Sequence, residues 1–364
     1  MKKIVFLSLV VIILAAFNLT GCSSETEVAE VIELSSSCYL PVTHPFTALQ
    51  EDWGKAINAR SNGRVNITYY PGGSLVKAPA TPDALVEGIA DIAFAHIGYN
   101  PGRFPVSEAL DLPMGYPTGW VGSHVATDFL NEFQPAEWDS LHILFVNAGC
   151  TAGLMLRDTK VTKLEDLAGK TLRGAGEVAS AITALGATAR DISMVEMYDS
   201  VSKGVVDGTL VGIETLKSFK MADVCKYTAF AWQVGNMYTF YLAMNKAKWD
   251  ALPDDIKDVF NEVNAEYAEK YAVKWNEIDV AGINHSLSIP GNEVYLLSDA
   301  EGERFRAAVQ PVISNYIDAM VAKGYDRGEV EDWIQYIRDR IEYWQAKEPE
   351  ANIASPFDVN LPVG

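Results

Sequence analysis

The sequence predicts an α/β protein of two lobes that are braced by one long helix. Three observations predict this class. The chain has 364 residues, and about 340 of them remain after loss of an N-terminal leader, which is more than one hydrophobic core usually supports. A strand–helix–strand pattern occurs twice along the chain. A helical pattern longer than about 20 residues begins near Leu252.

The repeated pattern is a helix that ends at a glycine, a turn aspartate and a buried-type strand. Gly88 and Asp91 mark the first copy, and Gly204 and Asp207 mark the second. Strand, helix and strand in succession are typical of a parallel crossover unit. Glycine at a helix end is common by itself, but its recurrence in two similar units favours a duplicated architecture. Each copy follows a strand candidate, at residues 65–70 and 189–195.

The long helix starts within residues 252–256, where an early proline and acidic first-turn residues favour a helix start. Its apolar stripe extends for about 30 Å at 1.5 Å per residue, enough to contact both lobes. The stripe contains Ile256, Val259, Phe260, Val263, Tyr267, Tyr271, Trp275 and Ile278. Two further amphipathic helices are expected near residues 299–323 and 327–346.

The chain is expected to cross from the first lobe to the second near residue 147 and to return near residue 237. These crossings divide the sequence into discontinuous lobes. The expected boundaries are 1–21 for a leader, 22–34 for a tether, 35–147 plus 237–270 for lobe I, 148–236 plus 271–346 for lobe II and the C-terminal helices, and 347–364 for a tail.

Residues 1–21 have the features of a secretory leader, with two lysines, an apolar run and small residues before a cysteine. Residues 19–22 (Leu-Thr-Gly-Cys) resemble the lipobox of bacterial lipoproteins, in which the cysteine is acylated and becomes the N-terminus. The alternatives are an ordinary signal peptide and an uncleaved membrane anchor. Because several acyl chains hold a protein on a membrane, we expect a periplasmic, extracytoplasmic lipoprotein anchored through Cys22.

The composition is strongly acidic. The chain contains 48 Asp and Glu against 29 Lys and Arg, which gives a formal net charge of −19. Such a surface repels nucleic acid and anionic lipid and favours solubility. No nucleic-acid partner is therefore expected. No apolar run after the leader approaches the roughly 20 residues that span a bilayer.

The sequence contains none of the common motifs for catalysis or metal binding. It has no His-Glu-x-x-His, no phosphate loop and no Gly-x-Ser-x-Gly elbow, and its five histidines are scattered. Beyond Cys22, three cysteines permit at most one disulfide. Cys38 and Cys225 lie in apolar contexts typical of buried thiols, and Cys150 lies near the expected lobe junction. We therefore expect no metal, no cofactor and no enzymatic activity.

One arginine stands at a position suited to binding an anion. Residues 171–182 run from a strand through glycines into a helix, and Arg173 lies just before that helix. A helix start offers free backbone N–H groups and a partial positive charge. A guanidinium is a planar, two-pronged donor that matches a carboxylate. In a secreted acidic protein without a catalytic motif, this arrangement indicates a site for a small organic acid.

Several segments together resemble the TRAP-transporter solute-binding proteins of the DctP type, from about residue 36 to residue 346. Each segment is weak alone, but their order and spacing are specific. They are Tyr70-Pro-Gly-Gly-Ser74, residues 85–91, Leu164-Glu-Asp-Leu-Ala-Gly-Lys-Thr-Leu-Arg173, residues 185–187, residues 197–208 and Met244-Asn-Lys-Ala-Lys-Trp-Asp-Ala-Leu-Pro253. The resemblance implies a periplasmic-binding-protein, or Venus-flytrap, fold that closes around a ligand. It also implies delivery of that ligand to a TRAP permease in the membrane.

The resemblance also implies roles for particular positions. The arginine with which the family clamps the substrate carboxylate corresponds to Arg173, the residue already singled out. Many relatives that bind sialic acid or dicarboxylates carry a second arginine at the position of Gly153, and relatives often carry a ligand-contacting asparagine where this chain has Val211. Without these polar partners, a second charged or polyhydroxyl end would be costly to bury. The site is therefore expected to prefer one anionic head with an apolar remainder.

Other candidate ligand contacts follow the first-lobe strand and surround the return crossing. An aromatic side chain with a polar tip can contact an apolar ligand and fix its orientation; alternatively, the aromatic residues only fill the hinge core. Glu214 could pair with Arg173, contact an amino group of the ligand or face solvent. The remaining candidates are His96, Tyr99, Trp232, Asn236 and Tyr238.

The sequence thus predicts a lipid-anchored binding protein that captures a small organic monocarboxylate, aromatic or branched, and delivers it to a TRAP permease. Three alternatives remain open. The ligand could be a polar organic acid, such as a dicarboxylate, sugar acid or sulfonate. The protein could instead be a receptor that presents its ligand to a sensor. A secreted hydrolase or lyase is disfavoured, because no nucleophile–base constellation is present.

Overall fold

The computed structural model describes residues 31–150 and 153–364. The expected leader and the Cys22 acylation site lie outside the described residues, as does most of the expected tether. The strands are β1 (Ile32–Cys38), β2 (Val65–Tyr70), β3 (Ile92–His96), β4 (Leu141–Cys150), β5 (Gly153–Leu156), β6 (Thr171–Arg173), β7 (Thr188–Arg190), β8 (Gly208–Val211), β9 (Tyr227–Phe230), β10 (Met237–Asn245) and β11 (Glu293–Leu296). The helices are α1 (Pro45–Arg60), α2 (Thr81–Val86), α3 (Gly119–Phe133), α4 (Glu177–Ala184), α5 (Met197–Ser202), α6 (Thr215–Ser218), α7 (Lys246–Asp250), α8 (Asp254–Leu287), α9 (Asp299–Ala322) and α10 (Arg327–Lys347).

The described strands form two sheets, one in each lobe. The strand order is β2-β1-β3-β10-β4 in lobe I and β11-β9-β5-β8-β6-β7 in lobe II. The chain passes to lobe II between β4 and β5 and returns between β9 and β10, so each sheet contains strands from both sides of a crossing. This arrangement confirms the expected two-lobed α/β fold.

The two lobes repeat one crossover unit, as the sequence predicts. In lobe I, β1 pairs in parallel with β2 and β3; in lobe II, β6 pairs in parallel with β7 and β8. The turn aspartates join equivalent strands, because Asp91 accepts the backbone N–H of Ser35 in β1 and Asp207 accepts that of Thr171 in β6. The two helix-ending glycines also match, with φ of 73° at Gly88 and 71° at Gly204, a backbone conformation that favours glycine.

Helix α8 is 34 residues long and contacts both lobes, which confirms the expected brace. The turn at which α8 stops contacting lobe I and begins to contact lobe II lies beyond the expected boundary at residue 270. Tyr271 and Trp275 still pack on lobe I, with ring centroids 4.9 and 4.5 Å from that of Phe46. The first hydrogen bond from lobe II, donated by the backbone N–H of Glu214, reaches Asp279 at 3.1 Å. Nearly all of the aromatic stripe of α8 packs in lobe I, because its large rings fill the core of that lobe.

The last helix and the tail also depart from the expected boundaries. Helix α10, which the expected boundaries group with lobe II as a C-terminal helix, packs against α3 of lobe I, where Arg340 and Trp344 both bond Asp128. The expected tail at 347–364 is held at both ends. Buried Glu348 accepts hydrogen bonds from Thr118 and Asn276, and Val363 forms a β-bridge to Leu296.

Two strand boundaries are corrected. Strand β1 begins at Ile32, inside the segment expected to be a tether, because Ile32 already pairs with Val65 of β2. The strand expected at 189–195 ends at Arg190. The chain then leaves the sheet, and its next residues line the space between the lobes.

Cys38, Cys150 and Cys225 are buried and free of disulfides. Buried thiols were expected at Cys38 and Cys225, and burial raises the pKa of the Cys38 thiol to about 11. The Cys150 thiol donates to the carbonyl of Tyr116 at 2.8 Å. Across residues 31–150 and 153–364, no helix is both long and apolar enough to cross a membrane.

Candidate functional site

Arg173 ends strand β6 and stands three residues before Gly176, the N-cap of α4, as the sequence predicts. Its side chain is almost completely buried, with only 2% of the residue exposed. The Nε atom donates to the carbonyl of Ile192 at 2.8 Å, which fixes the plane of the guanidinium. The buried Nη1 has no hydrogen-bond partner among the described residues. A buried charged donor without a partner is costly, so this atom indicates a place for an acceptor.

Tyr238 lies beside Arg173. Its hydroxyl is also buried and also lacks a hydrogen-bond partner within the described part of the chain. Burial raises the pKa of Tyr238 to about 12, and the neighbouring Arg173 charge opposes that rise. A phenol with this pKa stays protonated at neutral pH and can donate. Arg173 and Tyr238 therefore place two buried donors close together, one from each lobe.

Tyr99 lies close to the same arginine on the lobe I side. Burial raises the pKa of its hydroxyl, whereas the Arg173 charge lowers it. Its ring packs edge-on against Tyr39, with centroids 5.4 Å apart, and against His96 at 5.5 Å. These rings make the lobe I wall aromatic, and the hydroxyl groups give it polar tips.

His96 is held within the wall by Asp111. Nε2 of His96 lies 3.0 Å from Oδ2 of Asp111, and only 5% and 7% of the two side chains are exposed. Asp111 also accepts the backbone N–H of Thr239 at 2.9 Å, and its carbonyl accepts Nδ2 of Asn236 at 2.8 Å. Asn236 is thus tied to the lobe I framework. Sequence reasoning missed Asp111, although a single acid between two leucines was a signal that it has a buried partner.

A cavity of about 480 Å³ opens between the lobes next to these residues. Of the predicted ligand contacts, only Tyr99 lines it. Arg173 is not among the lining residues, but its Nε bonds the carbonyl of Ile192, which is; His96, Asn236 and Tyr238 do not line it either. Lys77 of lobe I and Asp191 of lobe II bring opposite charges to the cavity wall, and the sequence analysis identified neither. The lining consists of Tyr39, Gly72, Gly73, Lys77, Ala78, Pro79, Gly98, Tyr99, Pro101, Ala175, Asp191, Ile192, Ser193, Met194 and Val195.

The lobes approach each other closely at two glycines. A Cβ atom built on Gly176 would lie 3.6 Å from the carbonyl oxygen of Gly98 in the opposite lobe. Gly176 has a φ of 56°, which favours glycine. Gly98 has no room for a side chain either, because its Cβ would lie 2.5 Å from the His96 ring. Backbone therefore meets backbone across the cleft beside Arg173.

Gly153 and Val211 face each other on neighbouring strands of lobe II. A Cβ on Gly153 would lie 2.9 Å from the carbonyl oxygen of Val211 and 2.6 Å from the Met155 methyl carbon. A larger residue at Gly153 would therefore have to move the backbone of β8. Val211 is fully buried. These two positions bring no polar side chain to the site.

Glu214 is buried and does not pair with Arg173. Its carboxylate accepts the hydroxyl of Ser218, and its backbone N–H donates to Asp279 of α8. Burial raises the pKa of Glu214 to about 8, although the Ser218 bond lowers it. Of the three roles considered for Glu214, exposure to solvent is contradicted, because only 4% of the residue is exposed.

Trp232 was expected in the cleft, but it does not line the cavity between the lobes. It lines a different hollow, between the 3-10 turn at 232–234 and helices α9 and α10. There its ring lies 5.6 Å from the Arg306 guanidinium and 5.9 Å from the Phe357 ring. The C-terminal segment covers this indole, so it fills a junction instead of facing the cavity.

The arrangement is suited to binding an anion. The described residues contain no group of three or more His, Cys, Asp or Glu side chains that could hold a metal ion. The buried pair His96–Asp111 has no nucleophile among the contacts that Asp111 makes. What the site offers is a buried guanidinium, a phenol and an aromatic wall, which together can bind an organic acid.

Comparison with known proteins identifies both the family and the fold. The model of the bacterial extracellular solute-binding proteins of family 7, named DctP, matches residues 37–319. A solute-binding protein of Albidiferax ferrireducens is 27% identical over 266 residues, which cover 69% of this chain and 75% of the relative.

Two crystal structures of TRAP solute-binding proteins are similar to this one. The protein from Desulfovibrio salexigens, in an open complex, is 27% identical with a TM-score of 0.76, over 90% of this chain and 99% of that chain. A marine-metagenome protein specific for aromatic acid ligands, in complex with 3-hydroxybenzoate, is 24% identical with a TM-score of 0.80, over 86% of this chain and 99% of that chain. The second likeness supports the fold alone.

Proposed function

This chain belongs to the DctP family of bacterial extracellular solute-binding proteins, and we propose that it captures a small aromatic or branched monocarboxylate through Arg173. As a member of this family it is an extracytoplasmic, non-enzymatic binding protein for organic acids that works with a TRAP permease. The proposal concerns the ligand class, the residues that bind it and the membrane anchor.

The observation that carries the proposal is a pair of buried donors, Nη1 of Arg173 and the hydroxyl of Tyr238, for which residues 31–150 and 153–364 supply no acceptor. A carboxylate has two oxygens that can accept from both groups at once. Charge-assisted hydrogen bonds of this kind are roughly twice as strong as neutral ones. Binding would also remove the cost of leaving a buried guanidinium N–H unsatisfied.

An apolar remainder fits the rest of the cleft. Gly153 leaves no space for a second arginine, and Val211, fully buried, brings no polar group to the position where relatives often carry an asparagine. The rings of Tyr39 and Tyr99 supply flat contact area on the lobe I side. A ring or branched chain attached to the carboxylate gains from burial against these groups. The aromatic-acid specificity of the similar marine-metagenome protein agrees with this ligand class.

Ligand capture is proposed to stabilise the closed arrangement of the lobes. Arg173 comes from lobe II, whereas Tyr99 and Tyr238 come from strands and turns of lobe I. A ligand that contacts both sets favours closure, and closure presents a form that the permease can recognise. Acylation of Cys22 would keep the protein on the membrane beside that permease.

A polar organic acid is the second candidate, and Lys77 is the observation that favours it. Lys77 lines the cavity, and its Nζ lies 3.6 Å from the Cβ position of Gly73. Within the described residues the carbonyl of Lys77 accepts from Ala80 and Thr81, but its ammonium group has no hydrogen bond or ion pair. A ligand with a second acceptor at its far end could reach this ammonium group.

Isothermal titration calorimetry tests both candidates. Benzoate, 3-hydroxybenzoate and phenylacetate represent the first class, and succinate and galacturonate represent the second. We expect the aromatic acids to bind, and we expect Arg173→Ala to weaken them about 100-fold or more, because a buried carboxylate loses its charged partner.

Arg190→Ala is the matched control, because Arg190 pairs with Arg173 in the sheet register but is exposed. It should leave affinity unchanged. Equal affinities in the Arg173→Ala and wild-type proteins would refute the proposed clamp. Binding of succinate or galacturonate, with none of the aromatic acids bound, would support the second candidate instead.

A further inference from the structure

Asp111 joins three segments of lobe I, and the proposed function does not yet explain why a buried acid stands there. It ends the 3-10 turn Ser107–Asp111. One carboxylate oxygen meets His96 of β3, the other accepts the N–H of Thr239 in β10, and the carbonyl accepts from Asn236 just before β10. Its side chain is only 7% exposed. A buried carboxylate with this many partners fixes the relative positions of the groups it joins.

The Thr239 bond replaces a missing part of the sheet. Strand β3 ends at His96, which pairs with Phe240, so Thr239 stands one residue beyond the last pair. Its N–H would otherwise lack an acceptor in a buried place. The carboxylate of Asp111 supplies that acceptor. Asp111 thereby continues the edge of β3 and sets the path of β10 where it leaves the interlobe crossing.

His96 transmits this fixed position to the neighbouring tyrosine. The rings of His96 and Tyr238 meet edge to face, with centroids 4.6 Å apart and planes at 88°. Tyr99 and Phe240 contact other sides of the same imidazole. Gly98 leaves no free space on a further side, because its Cβ position lies 2.5 Å from the ring. The imidazole is therefore enclosed, and Tyr238 rests against it.

We propose that Asp111 is a positioning residue for the ligand site: through His96 and Thr239 it holds the Tyr238 hydroxyl beside Arg173, so that both donors meet one carboxylate. This inference rests on the proposed function and assigns a residue to it. Asp111 itself touches no ligand. The network pre-orders Tyr238, so less freedom is lost when the ligand binds.

The test is a double-mutant cycle between Asp111 and Tyr238, with 3-hydroxybenzoate as the probe in calorimetry. We expect Asp111→Ala to weaken binding about 10-fold in the protein with Tyr238, and less than about 2-fold in a Tyr238→Phe background, because the affected donor is already absent. Asp111→Asn keeps an acceptor for Thr239 and a donor for His96, so it should restore affinity to within about 3-fold of wild type.

A purely structural role would give a different pattern. It would produce equal losses in the two backgrounds, and that result overturns the inference, as does no loss in either. If Asp111→Ala fails to fold, His96→Gln replaces it in the cycle, since glutamine can bond Asp111 but offers no ring to Tyr238. The same Tyr238-dependent loss is then expected.

A second readout needs no ligand. In protein labelled with ¹³C at tyrosine Cζ, the Tyr238 resonance can be assigned by its absence in Tyr238→Phe. We expect Asp111→Ala to shift or broaden this resonance and to leave that of Tyr271, in the lobe I core, unchanged. An unchanged Tyr238 resonance would overturn the inference even if 3-hydroxybenzoate does not bind. If Arg173→Ala binds 3-hydroxybenzoate as tightly as wild type while the Asp111 results are as expected, the clamp is refuted and the positioning role is not.

Discussion

The two lobes share one plan, but they are attached to helix α8 by different chemistry. At its buried hydrogen bonds lobe I uses neutral groups: the indole of Trp53 donates to Asn264, and the indole of Trp275 donates to Asn147, both at 2.9 Å. Its ion pairs with α8, which involve Asp255, Glu266 and Glu269, lie nearer the surface. Lobe II uses acids, because Asp279 of α8 accepts the backbone N–H of Glu214 while both carboxyl groups are buried. The buried indole–amide contacts of lobe I therefore contain no carboxyl group, whereas the buried contact of lobe II depends on the protonation of its carboxyl groups.

The difference extends to the cleft. In lobe I, the side chain at the end of β3 has its partner, since His96 is bonded to Asp111. In lobe II, the side chain at the end of β6 keeps a buried donor without a partner among the described residues, since Nη1 of Arg173 has none. Among the described residues, lobe I therefore contributes an uncharged donor, the Tyr238 hydroxyl, whereas lobe II contributes the positive charge of Arg173.

The largest expected effect is on the acidic contact of lobe II. Burial raises the pKa of Glu214 to about 8 and that of Asp279 well above its ordinary value. A carboxyl whose folded pKa is raised stabilises the fold fully below its unfolded pKa and loses that contribution as pH rises towards the folded value. For Glu214 alone, the free energy of unfolding should fall by about 3 kcal/mol between pH 5 and pH 8.

Glu214→Gln tests this expectation, because glutamine keeps an acceptor for Ser218 and cannot ionise. Urea unfolding at both pH values should give a smaller pH-dependent loss in the variant, and a variant more stable than wild type at pH 8. An identical pH dependence in the two proteins would show that Glu214 does not distinguish the lobes in this way.

The next effect compares two glycines at which α8 meets each lobe. A Cβ on Gly282 of α8 would lie 2.6 Å from the carbonyl oxygen of Ile213 in lobe II, and one on Gly119 of lobe I would collide with the Trp275 side chain of α8 and lie 2.9 Å from the carbonyl oxygen of Ala148. Each change to alanine should lower the free energy of unfolding by about 2 kcal/mol, because backbone must move. Only Gly282→Ala should also weaken the pH dependence, since it opens the packing around Glu214. A change of pH dependence in Gly119→Ala would contradict the comparison.

The repeated unit and the placement of Arg173 could be predicted because each leaves a local signature. The Gly88–Asp91 and Gly204–Asp207 spacings encode a helix end and a turn, and both turns have the same role in the structure. Arg173 stands between a strand and glycines that start a helix, a pattern that is complete within a few residues.

Features that depend on distant segments could not be predicted in this way. The contacts of Asp111 are with His96 and Thr239, which come from two other parts of the chain. Trp232 was expected in the cleft, but the tail residue Phe357 and Arg306 of α9 cover it. The lobe boundary on α8 was placed too early, because an apolar stripe on a helix does not reveal which lobe each turn contacts.

A smaller effect is expected at the neutral contact of lobe I. Trp275→Phe keeps a ring in the core but removes the indole N–H, so the buried Oδ1 of Asn147 loses its donor. The free energy of unfolding should fall by about 1.5 kcal/mol. The loss should be the same at pH 5 and at pH 8, in contrast to the Glu214 contact. Urea unfolding of the variant at the two pH values checks this, and a loss confined to one pH would undo the distinction between the lobes.

The smallest effect concerns the turn aspartates, where the two copies of the unit are most alike. Asp207 accepts one backbone N–H from Thr171, so Asp207→Ala should cost about 1 kcal/mol. Asp91 accepts both the backbone N–H and the hydroxyl of Ser35 and lies 3.3 Å from Lys248, so Asp91→Ala should cost about 0.5 kcal/mol more. Denaturant unfolding of the two variants in parallel measures the difference. A larger loss for Asp207→Ala would mean that the lobe II copy depends more on its turn, and that the extra Asp91 bonds add no stability to lobe I.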